Sequence, residues 1–378
     1  MNIGFITTYG VKCGIATYTD HLAQQLVREH EVVIFAEDYL NNKQPDFSSN
    51  LKVMRCFDRN HSSPRLLEAL RANPCDIVHV QHEYGIFGKL KGDLEQVAVE
   101  CKGRIVMTLH TARDPGDKFH LQDCADCFIV HNIFGKQYLL GQGIEASKVK
   151  VITHGTLILP RISQREARTR LRLPLDGKII LTHSFFERRK HIDRVIETVA
   201  RLKGELALTY IHIGGTHPHL RGKLERSYQG ECVRLSRELD IASEVIVIER
   251  FASEEEMGYY LAAADVIVVM EESTYPEVHA SGVIHTVSPG KPVIAADIPD
   301  FAEFPEDVLY RIDNDAESLA QALRELLSDS GLASRLSENL LRYAQATSWE
   351  NIARIHTEVY GRVMSSRKSV HPSKPAAM

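Results

Sequence analysis

No stretch of this chain is apolar for long enough to cross a bilayer: a spanning helix needs some eighteen or more apolar residues in a row, and every apolar run here is far shorter. Met1 leads directly into the strand-like segment Asn2 to Thr7, without the basic and apolar lead of a secreted precursor. The expectation is a cytoplasmic protein. Peripheral attachment to the inner membrane face stays open, although no strongly basic amphipathic helix stands out to support it. A basic field is missing too. Lysine and arginine number 45 against 50 aspartates and glutamates, a net charge of −5 with a pI near 6.4, so nucleic acid is not an expected partner. Cysteines are few and odd in number, scattered as Cys13, Cys56, Cys75, Cys101, Cys124, Cys127 and Cys232. That pattern predicts reduced thiols rather than a disulfide framework. Cys124 and Cys127 have redox or zinc spacing, but no second pair follows, and they read as structural. Histidine is plentiful, at 18 residues, yet no His-Glu-x-x-His pair or Cys-plus-His quartet has usable spacing, so no metal site is expected.

What the chain does have is alternation. Its 378 residues, 44% hydrophobic, suffice for two domains of similar size. Short apolar runs at Asn2 to Thr7, Val32 to Ala36, Val53 to Cys56, Ile77 to Gln81, Ile105 to Leu109, Cys127 to His131 and Val149 to Thr153 alternate with amphipathic segments. This is the pattern of a parallel sheet with crossover helices. Few periodic apolar residues follow between Gly155 and Arg170, which places the interdomain linker near Thr156 to Ser163. The alternation then resumes with strands expected at Ile179 to Thr182, Leu208 to Ile213, Val245 to Ile248, Val266 to Met270 and Pro292 to Ala296. Residues 1–160, with a last helix over 348–364, should form one domain, residues 174–347 the other, and residues 365–378 a disordered tail.

Ligands of such sheets sit beyond the carboxyl ends of the strands. After the first strand, Gly10 and Gly14 permit a tight turn before a helix. In the second half, Arg188, Arg189 and Lys190 open a helix whose dipole disfavours cations there, so an anionic ligand is expected to hold them. Gly214 and Gly215 follow another strand and let backbone pass close to a ligand. In the stretch from Tyr275 to Ile294, Glu277 precedes a helix start at Ser281, Gly282 and Val283. The backbone N–H groups there could bind phosphate while the carboxylate takes a sugar hydroxyl. Asp313 and Asp315 read as a turn and a helix cap, not as metal ligands.

That last stretch, with Glu277, His285 eight positions on, and the turn Pro289-Gly290-Lys291-Pro292-Val293, resembles the nucleotide-binding signature of family 4 of the retaining glycosyltransferases. The family implies an α/β chain of GT-B architecture: two Rossmann-like, doubly wound domains facing a central cleft. Further segments resemble the family at Gly14, at Val106 to Thr111 with His110, and at Lys190. By the resemblance, Glu277 holds the donor sugar, His110 contacts it near the reacting carbon, and Lys190 meets the diphosphate. Gly14, Gly214, Gly215, Ser281, Gly282 and Val283 then fall on the donor side, and Lys12, His82 and Glu83 on the acceptor side. Two positions depart from the family. His285 stands where a second glutamate holds the ribose, and Phe185 where an arginine meets the diphosphate, so Arg188 or Arg189 would have to compensate.

The implied activity is transfer of a sugar from a nucleotide-diphosphate donor, such as a UDP- or GDP-hexose, to a carbohydrate or other hydroxyl acceptor, with retention of configuration. It would need neither cofactor nor metal, because Lys190, an arginine and backbone N–H groups would stabilise the leaving diphosphate. Two alternatives remain: a catalytically silent nucleotide-sugar-binding protein, and a sugar-nucleotide epimerase, for which no clear set of acids is present. A homo-oligomer is left open.

Overall fold

The computed structural model describes residues 1–38, 50–113, 116, 118–215, 223–273, 286–287 and 290–366, without the side chains of 223–227, 286 and 287. The chain separates into two compact units. The described residues of Met1–Gly155 and from Trp349 to Ser366 make the first, and the described residues from Thr156 to Ser348 belong to the second.

The first unit alternates β1 (Asn2–Thr7), α1 (Gly14–Leu26), β2 (Glu31–Glu37), β3 (Lys52–Phe57), α2 (Pro64–Ala72), β4 (Ile77–His82), α3 (Tyr84–Phe87), α4 (Lys91–Glu100), β5 (Arg104–Leu109), β6 (Cys127–Val130), α5 (Ile133–Gly141) and β7 (Val149–Val151). Every pairing is parallel, in the order β3-β2-β1-β4-β5-β6-β7. Both faces of such a sheet are covered by crossover helices, which is why its strands read as nearly unbroken apolar runs. The two faces differ in chemistry. Val78, Val80, Ile105, Met107 and Leu109 join one apolar core with Phe87, Leu94 and Val97. On the other face, buried His79 reaches Thr108 Oγ1 and Tyr360 Oη, both at 2.7 Å. Tyr360 comes from the closing helix, Trp349–Ser365, which packs on α1 through Tyr18, whose ring meets Trp349 edge-on at 5.0 Å.

The second unit contains β8 (Leu157–Ile158), α6 (Gln164–Leu171), β9 (Lys178–His183), α7 (Ile192–Arg201), β10 (Leu208–Ile213), α8 (Lys223–Glu238), β11 (Val245–Ile248), α9 (Glu254–Ala263), β12 (Val266–Val269), β13 (Thr286–Val287), β14 (Val293–Ala296), β15 (Tyr310–Ile312), α10 (Ala316–Ser328) and α11 (Ser330–Ala346). Its main sheet is again all parallel, in the order β11-β10-β9-β12-β14-β15. Ile180, Leu208, Tyr210, Val266, Val268 and Ile294 pack into one core against α7 and α10. Asp315 caps α10 through Ser318 N at 2.8 Å, in keeping with its reading as a cap. Ser253 likewise caps α9, accepting from Glu256 N at 3.2 Å.

The segment expected to be linker is part of the second unit. Leu157–Ile158 pairs with Thr286–Val287 as a small parallel sheet. Arg168 of α6, 3% exposed, donates to the carbonyls of Ala263, Leu175 and Gly177 and to Asp265 Oδ2 at 2.7 Å. Low apolar periodicity in 155–170 therefore reflects a helix held by a buried guanidinium and by Gln164 on the Ala263 and Ala264 carbonyls, with only a small apolar contact of Ala167 and Leu171 against Ala262 and Ala263. Among the described residues no helix is long and apolar enough to cross a membrane. Of the tail expected over 365–378, Ser365 is the last residue of the closing helix, and the residues beyond 366 lie outside the described residues.

Candidate functional site

In an open parallel sheet the ligand crevice lies where the strand order reverses, at the carboxyl ends of the two central strands. In the second unit those strands are β9 and β12. Beyond β9 the chain runs through Ser184, Phe185 and Phe186 into a single 3-10 turn, Arg188–Lys190. Beyond β12 it runs through Met270 into Glu271. The two ends meet. Lys190 Nζ donates to Glu271 Oε1 at 2.5 Å, and Arg189 Nη1 pairs with the same oxygen. Glu271 is 1% and Lys190 6% exposed. Asn314 fixes the same corner from before α10, its Nδ2 donating to the Glu271 carbonyl at 2.9 Å.

The three consecutive cations were expected to face an anionic ligand. In the structure each ends on a carboxylate of the protein. Arg188 makes a two-oxygen pair with Glu231 of α8 at 2.7 and 2.8 Å, and its guanidinium lies over the Tyr228 ring. Arg189 Nε donates to Glu187 at 2.6 Å. Burial pulls the Lys190 ammonium below its ordinary pKa, and Glu271 opposes that pull. Close by, Ser273 donates to Asp300, whose carboxyl burial pushes up to about 6, with the Glu271 charge adding to the rise.

The glycine pair stands at this same end of the sheet. A Cβ on Gly214 would sit 1.7 Å from the Ser184 carbonyl oxygen, so only glycine lets the turn after β10 pass the turn after β9. Gly215 lies against the Phe251 ring and accepts from Phe186 N at 3.2 Å. Phe251 in turn meets Phe185 edge-on at 5.6 Å. Phe185, at the position of the family's arginine, is thus held in an aromatic pair beside the glycine turn. Sequence reasoning brought Arg188, Arg189, Lys190, Gly214 and Gly215 to one place but did not single out Glu271. The signal was present: a carboxylate directly after a buried strand obeys the same strand-end rule.

The first unit holds the remaining candidates. Lys12 and Gly14 are exposed at the end of β1. The left-handed residue of that turn is Gly10, at φ +70, whereas Gly14 has open space where a Cβ would stand. His82 is a core side chain. It is 1% exposed, stacked on Phe87 and pushed to a pKa of about 3 by burial, so it offers no surface to an acceptor. Glu83 is half-buried, accepts from Thr111 Oγ1 at 2.7 Å, and has its pKa raised by burial against the lowering effect of that bond.

His110 sits in a chain of rings. His131 Nδ1 donates to the Ile152 carbonyl at 3.0 Å, and its Nε2 stands 3.4 Å from His110 Nδ1. His110 Nε2 donates to Gln81 Oε1 at 2.9 Å. Burial, with His131 and His82 adding to it, holds His110 well below its ordinary pKa, so the ring is neutral and its Nε2 is engaged. A sugar hydroxyl would reach Nε2 only in exchange for Gln81. The other expected residues, Glu277, Ser281, Gly282, Val283 and His285, lie outside the described residues. Among the described residues no group of three or more metal-ligating side chains could hold an ion. Cys124 and Cys127 are buried thiols.

Two family models match this chain. The family model of the glycosyl transferases group 1 matches residues 163–342, and that of glycosyltransferase family 4 matches residues 13–156. Among solved structures, sucrose-phosphate synthase from Thermosynechococcus elongatus is 22% identical, with a TM-score of 0.75 over 97% of this chain and 99% of that one. A glycosyltransferase from Rickettsia africae is 16% identical, with a TM-score of 0.77 over 97% and 99%. Anabaena HepE in complex with UDP is 17% identical, with a TM-score of 0.74 over 96% and 100%. No curated protein matches. At these identities the solved structures show the fold alone, and the two family models carry the assignment. With two parallel, doubly wound units of GT-B type, the chain belongs to the group 1 glycosyltransferases of family 4.

Proposed function

We propose that this glycosyltransferase moves a hexose from a nucleoside-diphosphate donor to a hydroxyl acceptor with retention of configuration and without a metal. The observation that carries the reading is the switch point of the second sheet, where Arg189 and Lys190 stand beside a turn that only glycine at 214 can close. Breaking the anomeric bond leaves negative charge on the departing diphosphate and positive character on the sugar. Cations already fixed in place where that charge develops lower the barrier without reorganising. The leaving phosphate then takes the acceptor's proton on the same face, which gives retention without a dedicated protein base. Glu277 and His110 are assigned to the donor sugar, as the family resemblance implies. Uridine is the first base to try, because the similar HepE is seen with UDP.

The test is a panel of UDP- and GDP-hexoses with candidate sugar acceptors, read by release of nucleoside diphosphate. Lys190→Ala and Glu277→Ala should each lower kcat/KM by about 100-fold or more, the scale of losing one charge-stabilising group. Saturating EDTA should leave turnover unchanged. Full turnover in both variants would overturn the assignment.

A second reading has a specific observation behind it. Phe185 replaces the family's arginine, and the neighbouring cations are neutralised by Glu187, Glu231 and Glu271. A silent binder of nucleotide sugars fits those features. It predicts calorimetric binding of UDP-hexose with no diphosphate released by any acceptor.

A further inference from the structure

Glu271 is the feature that the transferase reading leaves unused. It occupies the end of β12 at the switch point, 1% exposed, with one oxygen shared between Lys190 and Arg189. Counting formal charges at this corner, Arg189 and Lys190 contribute two positive charges, and Glu187 and Glu271 two negative ones. Arg188 is balanced by Glu231. Asp300, also at this corner with its carboxyl raised to about 6, adds a further negative charge at neutral pH, so the described part of the site carries no net positive charge before any ligand arrives.

A buried ammonium without a counter-charge is costly, and a carboxylate within hydrogen-bond reach relieves that cost. The same carboxylate opposes an arriving diphosphate, because two anions competing for one desolvated cation repel strongly. We propose that Glu271 is an internal substitute for the donor's phosphate: it holds Lys190 and Arg189 in place in the empty site and sets donor affinity by competing with the diphosphate for them. This inference rests on the donor-site reading above and deepens it. The phosphate group takes over Lys190 Nζ and Arg189 Nη1, and the Glu271 carboxylate yields its bonds. No covalent step is involved.

The substitution that isolates the effect is Glu271→Gln, which keeps the shape and an acceptor oxygen for Lys190 while removing the charge. Full-length parent and variant are titrated calorimetrically with UDP, GDP and inorganic pyrophosphate, alongside Lys190→Ala. Glu271→Gln should bind at least one of these ligands on the order of ten-fold more tightly than the parent, the scale of one removed like charge near a buried site. Lys190→Ala should bind all three more weakly than the parent. Glu271→Asp keeps the counter-charge but withdraws it by one methylene. It serves if Glu271→Gln does not fold, and should tighten binding by about three-fold, a smaller effect of the same kind. Binding no tighter than the parent in the folded variant overturns the proposal while leaving the donor site standing, provided that the parent binds and Lys190→Ala weakens it. If no protein in the set binds any of the three ligands, the donor-site reading fails, and the proposal fails with it.

Discussion

At the scale of single residues, two glycines that look alike in the sequence have opposite physical roles. Gly214 faces the Ser184 carbonyl so closely that a methyl group would overlap backbone. Gly214→Ala should therefore destabilise the protein by about 3 kcal/mol, as overpacking against backbone does, seen as a lowered thermal midpoint. Gly14 begins α1 with nothing within 4 Å of an added Cβ and no left-handed backbone. Gly14→Ala should leave stability unchanged or raise it by about 0.5 kcal/mol. If turnover falls while the midpoint holds, a ligand must approach that position, and unchanged turnover would remove Gly14 from the site. Lys190 and the glycine pair were legible in the sequence because their types are rare at such positions without a reason. Glu271 was legible only through its place at a strand end, since nothing in the pair Glu271-Glu272 marks which carboxylate is buried. The pairing of three cations with Glu187, Glu231 and Glu271 was equally hidden, because two of those partners lie far along the chain.

At the scale of elements, the sheets were more legible in the sequence than their attachments. Strands buried on both faces must be apolar, so ten residues or so of amphipathic sequence between short apolar runs were enough to expect two doubly wound sheets. β15 was missed, being three residues long, and the polar face beneath the closing helix was legible only as scattered histidines. The linker was placed just before α6, at Thr156 to Ser163, because the segment shows little apolar periodicity; α6 itself is held largely by polar contacts, with Arg168 and Gln164 reaching the end of α9. Arg168→Ala would take the buried donor from the Leu175 and Gly177 carbonyls and one partner each from the Ala263 carbonyl and the Asp265 carboxylate. It should cost about 3 kcal/mol, the range for breaking a buried ion pair, and chemical denaturation would measure it. A loss within 0.5 kcal/mol, the ordinary surface range, would mean that α6 is held some other way.

At the scale of the whole molecule, the buried histidines set the response to acid. Burial holds His79 and His110 well below the ordinary value, His82 and His212 at about 3, and His356 at about 4. These rings stay neutral when folded, while the unfolded chain protonates them near pH 6.5. The unfolded state then binds more protons, so stability is fully present above about pH 6.5 and falls as the pH drops, by up to about 1.4 kcal/mol per pH unit for each ring. Asp300, raised to about 6, and Glu83, also raised, act in the opposite sense, gaining stability as the pH falls. Five rings outweigh two carboxyls, so the thermal midpoint should drop between pH 7 and pH 5; a flat or rising profile would show that the rings are not buried as described. The central claim is that the diphosphate of the donor is held where β9 and β12 end. Amide hydrogen exchange on the full chain, with and without saturating UDP or GDP, tests it most directly. The account predicts slowed exchange over residues 184–191 and 213–215, and exchange left unchanged in both segments while nucleotide is bound would contradict it.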